Sequence, residues 1–271
     1  MQPQIADFKA EADDLHAVLV RLADADFERE TSFKAWTIND VLRHLHFGEL
    51  MSLASLRSAD EFRALRATVQ ARKAAGLTTR DEARERLGHL GHGQALLAIW
   101  KAGVEDLCGR LARLDPDARL TWAGPDMGVR MFATARQMET WSHGQEVYDV
   151  LGLDREPQPR LKNICTIGVR TYGWTFVNRG LEAPGPAPQV RLAGPGGDIW
   201  EWNEPQSGNR IEGGALEFAQ VVTQVRNIAD TRLAVTGAPA TAWMAIAQCF
   251  TGPPETPPAP GSRRRAAKPV L

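Results

Sequence analysis

The apolar residues in the first half of the chain recur at alternating steps of three and four, which is the period of an amphipathic helix. The first such stripe contains Ile5, Phe8, Ala12, Leu15, Leu19 and Leu22. A second helix is predicted to start after Thr37, an N-cap residue with Asp40 three positions on, and to end near Leu56. A third is predicted over residues 81–114, and a fourth over residues 129–152, with Gly152 as its C-cap.

Helices with one apolar face each can bury those faces only against one another. The sequence therefore predicts an antiparallel four-helix bundle over residues 1–155. Between the second and third helices, residues 57–80 are charged and alanine-rich, which indicates a partly helical connection. Asp115-Pro116 ends the third helix, and the stretch from there to Gly128 is predicted to be a loop.

The pattern changes in the second half, where residues 156–252 are predicted to form a small mixed α/β domain. Helices are expected over residues 161–178, 214–229 and 239–249, and strands over residues 189–192, 198–202 and 232–236. The predicted fold class is therefore α+β, a helical bundle followed by a small mixed domain. Residues 253–271 are rich in proline and arginine, and this composition predicts a disordered tail.

Composition excludes several classes of function. The chain has 32 Lys+Arg against 33 Asp+Glu, so there is no net basic field to hold a nucleic acid. Its three cysteines are widely spaced, which excludes a disulfide framework and fits a reducing compartment. The sequence contains neither a long apolar run nor a signal-peptide pattern, so we expect a cytoplasmic protein that does not enter a membrane. A small-molecule substrate is the expected partner, and the oligomeric state stays open.

One group of residues in the predicted bundle is a candidate metal site. Glu139 and His143 are four residues apart on the predicted fourth helix and share its apolar face. His44 lies on the apolar arc of the second helix, whereas His46 points to the other side. Two imidazoles and one carboxylate from facing helices are typical of a catalytic Zn²⁺ site with one open position. An ordinary Glu–His pair and a hydrogen-bonded core histidine explain the same residues, and helix spacing does not decide between these alternatives.

Two further residues lie beside the same face of the fourth helix. Arg136 precedes Glu139 by three positions, and Glu146 follows His143 by three. Both are candidates for side chains that orient metal ligands.

Two segments resemble the signatures of a known family. WTINDVLRHL and ATARQMETWSHGQEVYDVLG are similar to the motifs of the mycothiol-dependent maleylpyruvate isomerase-like proteins, within the DinB-like metal-binding superfamily. The likeness extends over about residues 5–254 and includes an uncharacterised two-domain subfamily. This sequence departs from the common pattern at His46, where a small or apolar residue is usual, and at Glu146, where Asp is more frequent. His46 is therefore interpreted as a solvent-facing histidine, with a gating or acid/base role as the alternative.

The resemblance implies a site and a chemistry. The metal ligands of the family correspond to His44, Glu139 and His143, the bound ion is a zinc-like divalent metal, and mycothiol is the thiol cosubstrate of the characterised branch. An arginine of the second domain assists catalysis there; Arg226 is the candidate here, with Arg232 close by.

Three functional hypotheses follow from these residues. The leading one is a thiol-dependent isomerase or S-transferase acting on a small electrophilic molecule. The alternatives are a biosynthetic metalloenzyme (hydrolase, lyase or cyclase) that does not use mycothiol, and a metal-binding sensor or partner protein without turnover.

Overall fold

The structure is a computed structural model that describes residues 2–267 and Pro269. The chain divides into two units: the first contains the chain up to Leu153 and again the segment from Arg265, and the second is Asp154–Arg264. The helices of the first unit are α1 (Pro3–Leu19), α2 (Ile38–Arg57), α3 (Ala59–Ala74), α4 (Thr79–Leu87), α5 (Gly93–Leu111) and α6 (Val129–Leu151).

Four of these helices form the bundle. Helix α1 packs against α5 and α6, and α2 packs against the same two helices. Their apolar faces meet in one core, which contains the fully buried Phe8, Leu42, Trp100 and Phe132. The predicted apolar stripe is buried in this core from Ile5 to Leu22, although α1 itself ends at Leu19. Burial of these faces is the main contribution that stabilises the helices, because isolated helices of this length are marginal in water.

Helix α2 begins where the capping residues predict. The Thr37 hydroxyl accepts a hydrogen bond from the Asp40 N–H at 3.2 Å, and the Thr37 N–H donates to the Asp40 carboxylate at 3.0 Å. This reciprocal pair is a capping box, and it satisfies two N–H groups that the first turn of a helix leaves without backbone partners.

The region between α2 and α5 differs from the prediction. Residues 57–80 are mostly helical, because Ser58 and Thr78 cap α3 and α4 by accepting backbone N–H groups. The predicted helix over residues 81–114 is interrupted after Leu87 and resumes at Gly93. Gly91, within this break, has a φ of 86°, a backbone conformation that favours glycine and cannot continue a helix, and Gly93, the first residue of α5, has a φ of 60°. Between α5 and α6, β1 (Arg119–Leu120) and β2 (Met127–Gly128) pair antiparallel within the predicted loop.

The second unit is a small mixed domain built on one sheet. Its helices are α7 (Leu161–Arg170), α8 (Tyr172–Val177), α9 (Ala215–Val222) and α10 (Ala238–Met244). Its strands are β3 (Gln189–Ala193), β4 (Ile199–Trp202), β5 (Arg210–Gly214) and β6 (Ala234–Thr236). They lie in the order β4-β3-β5-β6, with β3 parallel to β5 and the other pairs antiparallel. A helical first region followed by a small mixed-sheet domain confirms the predicted fold class.

Strand β5 is missing from the sequence-based prediction. It occupies an inner position of the sheet, yet only Ile211 among its five residues is buried. The segment RIEGG has one large apolar side chain and no alternation of apolar and polar residues, so its sequence does not predict a strand. It is a strand because it pairs with β3.

The proline-rich segment makes hydrogen bonds with the second unit; its disorder stays a prediction, and residues 268, 270 and 271 of the predicted tail lie outside the described residues. Gln224 and Asn227 donate side-chain hydrogen bonds to the carbonyls of Glu255 and Pro258, at 3.1 and 2.8 Å. Gly261 donates its N–H to the Asp230 carboxylate at 2.8 Å. Backbone carbonyls of a proline-rich chain remain available as acceptors, so donor side chains of the domain bind this segment without a sheet or a helix.

Within the part of the chain that the structure describes, no helix has the length and apolar character needed to cross a membrane.

Candidate metal centre

The three residues singled out from helix spacing meet in the first unit. Nε2 of His44, on α2, lies 3.3 Å from Oε2 of Glu139, on α6. Nε2 of His143, one turn further along α6, lies 3.6 Å from the same oxygen. One ligand atom from each residue falls within 4.8 Å of the other two, and the three side chains are partly buried, with exposed fractions of 12–22%. Two helices thus direct two nitrogens and one oxygen at a common point.

The Glu139 carboxyl is held ionised. Burial would raise its pKa, but the hydrogen bond with His44 and the nearby charges of His143 and Arg136 outweigh burial and lower the pKa to about 2. At neutral pH this side chain is therefore a carboxylate, the form that binds cations.

Two aromatic rings from the segment before α2 enclose the imidazoles. The Trp36 ring stacks on His143, with centroids 5.6 Å apart and planes 3° apart, and it meets His44 edge-on at 5.2 Å. Phe33 lies edge-on to His143 at 5.1 Å and to Trp36 at 4.9 Å. Lys34 and Ala35 between them have φ of 53° and 52°, a tight left-handed turn that brings both rings to the same side.

Only one of these two aromatic residues belongs to a motif that the sequence analysis identified. Trp36 belongs to the first family motif, but nothing in the spacing of Phe33 placed it at the site. Its position depends on the left-handed turn, and neither Lys nor Ala predicts that conformation.

The donor set fits a divalent metal of the zinc type. Two imidazole nitrogens and a carboxylate oxygen are the ligands that Zn²⁺ prefers, and a three-residue set leaves a position for water or substrate. His44 Nδ1 is buried and has no hydrogen-bond partner among the described residues. Its ring orientation is therefore set by packing against Trp36 and by the interaction of Nε2 with Glu139.

His46 is not solvent-facing, and the prediction that it would be is wrong. The side chain is buried, and its Nδ1 lies 3.1 Å from Oε2 of the fully buried Glu49. It lies on the side of α2 that packs against α5, where Gly103 has no side chain to occupy the space. Burial raises the pKa of Glu49 above its usual range, against the opposing effects of His46 and Arg136.

Arg136 and Glu146 are both buried in the bundle. Arg136 extends from α6 to α2, where its Nη2 donates to the carbonyl of Leu45 at 3.2 Å. The proposed orienting role of Glu146 stays a prediction.

The two arginine candidates lie in the second unit. Arg226 follows α9 and is partly buried, with its Nη1 donating to the Val225 carbonyl at 3.1 Å. Arg232 is almost fully exposed, and its Nε lies 3.3 Å from the Glu217 carboxylate. Their catalytic roles stay predictions.

Fold and site together define a class of protein: a helical bundle with a His-Glu-His cluster on two facing helices, continued by a small mixed-sheet domain. The family model described as the mycothiol maleylpyruvate isomerase N-terminal domain matches residues 8–148. The chain belongs to this family, and the resemblance drawn from its two motifs is confirmed.

Relatives extend the likeness over 93% of the chain. Two proteins from two strains of Mycobacterium tuberculosis, each described as uncharacterized, are 34% identical over 252 residues, or 93% of this chain and 96% of theirs. The crystal structure of the mycothiol-dependent maleylpyruvate isomerase aligns with a TM-score of 0.52 at 14% identity. It covers 80% of this chain and 86% of that one, and a structure of a mutant of the same enzyme gives a TM-score of 0.52 as well. At such low identity these structures show a shared fold.

Proposed function

We propose that this protein is a divalent-metal-dependent enzyme that uses a thiol cosubstrate, mycothiol, to isomerise a small electrophilic molecule or to transfer the thiol to it. The observation that carries this proposal is the convergence of His44, Glu139 and His143 on one point. Family membership supports the thiol, because the family is described by mycothiol and maleylpyruvate isomerase.

The three residues would hold a zinc-like ion, with Glu139 supplying one negative charge and the imidazoles two neutral nitrogens. A zinc ion in such a site lowers the pKa of a bound water to about 7 and deprotonates a coordinating thiol, which provides a nucleophile at neutral pH. Trp36 and Phe33 fix the imidazole planes by stacking and edge contacts. The same rings place apolar surface against the imidazoles, and a less polar surrounding strengthens the electrostatic interactions of a bound ion.

In this proposal Arg226 binds the acidic group of the substrate, and its guanidinium holds a carboxylate or stabilises negative charge that develops during the reaction. Arg232 is the alternative. Replacement of each arginine by Lys distinguishes the two candidates. The variant of the residue that binds substrate should have the higher KM, because Lys cannot make a bidentate contact with a carboxylate.

Metal content tests the centre. We expect about one zinc per chain in the purified protein and loss of the metal in His44→Ala, Glu139→Ala and His143→Ala, because three ligands are needed to hold the ion. His92→Ala is the matched control, since His92 is an exposed histidine elsewhere in the same unit. Retention of metal in all three ligand variants would contradict the site.

Thermal-shift titration tests the thiol. Mycothiol at 100 times its Kd should stabilise the metal-loaded protein by about 2.7 kcal/mol. The same titration on the Glu139→Ala variant is the control, and it should show no shift. A metal-loaded protein that shows no shift with millimolar mycothiol would exclude the thiol-dependent reaction and leave a metalloenzyme of another type.

A further inference from the structure

A buried arginine links the two helices that carry the candidate ligands. Arg136 lies on α6 one turn before Glu139, and its Nη2 donates to the carbonyl of Leu45, the residue after His44. The side chain is almost fully buried. A guanidinium in the interior of a bundle destabilises the fold unless it is paired and hydrogen-bonded, so its presence at this position needs a reason.

Helix α2 makes room for this guanidinium. A Cβ added at Gly48 would lie 2.5–2.7 Å from the Nη1, Nη2 and Cζ atoms of Arg136. Gly48 follows His44 by one turn, whereas Arg136 precedes Glu139 by one turn. The guanidinium therefore lies directly against the α2 backbone, one turn away from the ligand cluster.

A second buried polar group lies on the same helix α2. Glu49 is fully buried, and Oε2 of its carboxyl group lies 3.1 Å from Nδ1 of His46. On the opposite helix, a Cβ at Gly103 would lie 2.6 Å from Oε2 of Glu49 and 3.0 Å from Nδ1 of His46. Two glycines, on α2 and α5, thus leave the space that these polar side chains occupy.

We propose that Arg136, which lies over Gly48 and donates to the α2 backbone, is a positioning residue that fixes α2 against α6 and thereby sets the distance from His44 to Glu139 and His143. The inference rests on the proposed metal centre. Such residues act through the ligands and not on the substrate, and their loss typically weakens metal binding about 10- to 100-fold.

Gly48→Ala tests the inference with every polar group retained. The new methyl group needs the space of the guanidinium, so Arg136 must move away from α2. We expect about a 10- to 100-fold loss of zinc affinity, measured by competition with a chromophoric chelator. The Co²⁺-loaded variant should also show altered visible absorption bands, because these bands report the geometry of the ligands. Arg136→Lys, which keeps the charge but not the planar fork, should change both readouts in the same direction.

Gly109→Ala on α5 is the matched control, because the nearest atom to its added Cβ is 3.8 Å away. This variant should keep the affinity and the cobalt spectrum of the unaltered protein. Far-UV circular dichroism establishes which variants are folded. If Arg136→Lys does not fold, the Gly48→Ala variant alone tests the positioning role.

A folded Gly48→Ala protein with unchanged zinc affinity and cobalt spectrum would overturn the positioning role and leave the metal centre intact. A lower melting temperature with an unchanged cobalt spectrum would overturn it as well, because that result describes a merely structural residue. An unaltered protein that binds neither Zn²⁺ nor Co²⁺ would overturn the proposed function itself, and the positioning role with it.

Discussion

Gly103 lies on α5 opposite the buried carboxyl group of Glu49, and the missing side chain is what allows His46 and Glu49 to pair inside the bundle. Gly103→Ala would place a methyl group 2.6 Å from Oε2 of Glu49. Glu49 is fully buried and is surrounded by packed helices, so it cannot move into solvent. We expect the variant to lose about 1–3 kcal/mol of unfolding free energy, the usual effect of overpacking a core. Urea unfolding followed by circular dichroism measures this loss.

Gly109→Ala again provides the comparison, since it makes the same substitution six residues further along α5 without a close contact. Alanine stabilises a helix interior by up to about 1 kcal/mol relative to glycine, so this variant should be as stable as the unaltered protein or more stable. Equal stability of the two alanine variants would contradict the packing described for Gly103.

At the residue scale, helix periodicity predicted which side chains could meet, but not which ones are buried together. His44, Glu139 and His143 follow from spacing on two helices and from the two family motifs, and the structure brings them together. The environment of His46 did not follow, because the position of α5 relative to α2 cannot be read from the spacing within α2. The interaction of His46 with Glu49 depends on a glycine more than fifty residues away in sequence.

At the scale of elements, the start of α2 is also a junction with α4. The buried Asp40 carboxylate closes the capping box of α2, and it accepts hydrogen bonds from Nε and Nη2 of Arg84 at 2.6 Å each. Burial would raise the pKa of Asp40, but the hydrogen bonds from Arg84 and Thr37 outweigh burial and lower it below the ordinary value of 3.8. One side chain thus stabilises the start of one helix and its contact with another.

Asp40→Asn should reduce the unfolding free energy by about 2 kcal/mol at pH 7, because a charged, bidentate interaction with Arg84 is lost. The folded-state pKa of Asp40 is depressed, so its contribution is present above pH 3.8 and is lost as the pH falls through the lower folded-state value. The stability difference between the two proteins should therefore shrink as urea titrations are repeated from pH 7 to pH 3.

Asp60→Asn is the control for this experiment. Asp60 pairs with Arg63 on the surface of α3, and its side chain is 93% exposed. Exposed ion pairs contribute little, so this variant should unfold with the unaltered protein at every pH. A difference between Asp40→Asn and the unaltered protein that stays constant down to pH 3 would show that the carboxylate charge is not what stabilises the junction.

Elements with strong local signals were predictable, whereas those ordered by their neighbours were not. The capping box of α2 and the αL glycine that ends α6, Gly152 with φ of 71°, are local features, and the structure has both. Strand β5 and the break before Gly93 are different cases. Strand β5 is defined by its pairing with β3. The break is defined by two glycines with positive φ, a conformation that glycine permits but that the local sequence does not require.

At the scale of the whole molecule, the segment after residue 252, which the composition predicts to be disordered, makes hydrogen bonds with side chains of the second unit. In the second unit, the buried Gln248 accepts the Glu255 N–H at 2.9 Å and donates to the Pro253 carbonyl at 3.1 Å. Arg179 donates to Oε1 of Gln248 at 3.1 Å and to the Glu255 carbonyl at 2.6 Å. Composition reports how much surface a segment can bury by itself, and it carries no information on donors that the rest of the domain presents.

Gln248→Ala tests whether these donors order the segment. The substitution removes the acceptor of the Glu255 N–H and a buried amide with several partners, so we expect a loss of about 1–3 kcal/mol of unfolding free energy. Hydrogen exchange measured by mass spectrometry should show slow exchange in peptides covering residues 253–264 of the unaltered protein and faster exchange in the variant. Thr256→Ala is the control, because Thr256 is exposed within the same segment and its replacement leaves the backbone hydrogen bonds in place. Exchange at the rate of an unstructured chain in the unaltered protein would show that the segment is disordered, as its composition predicts.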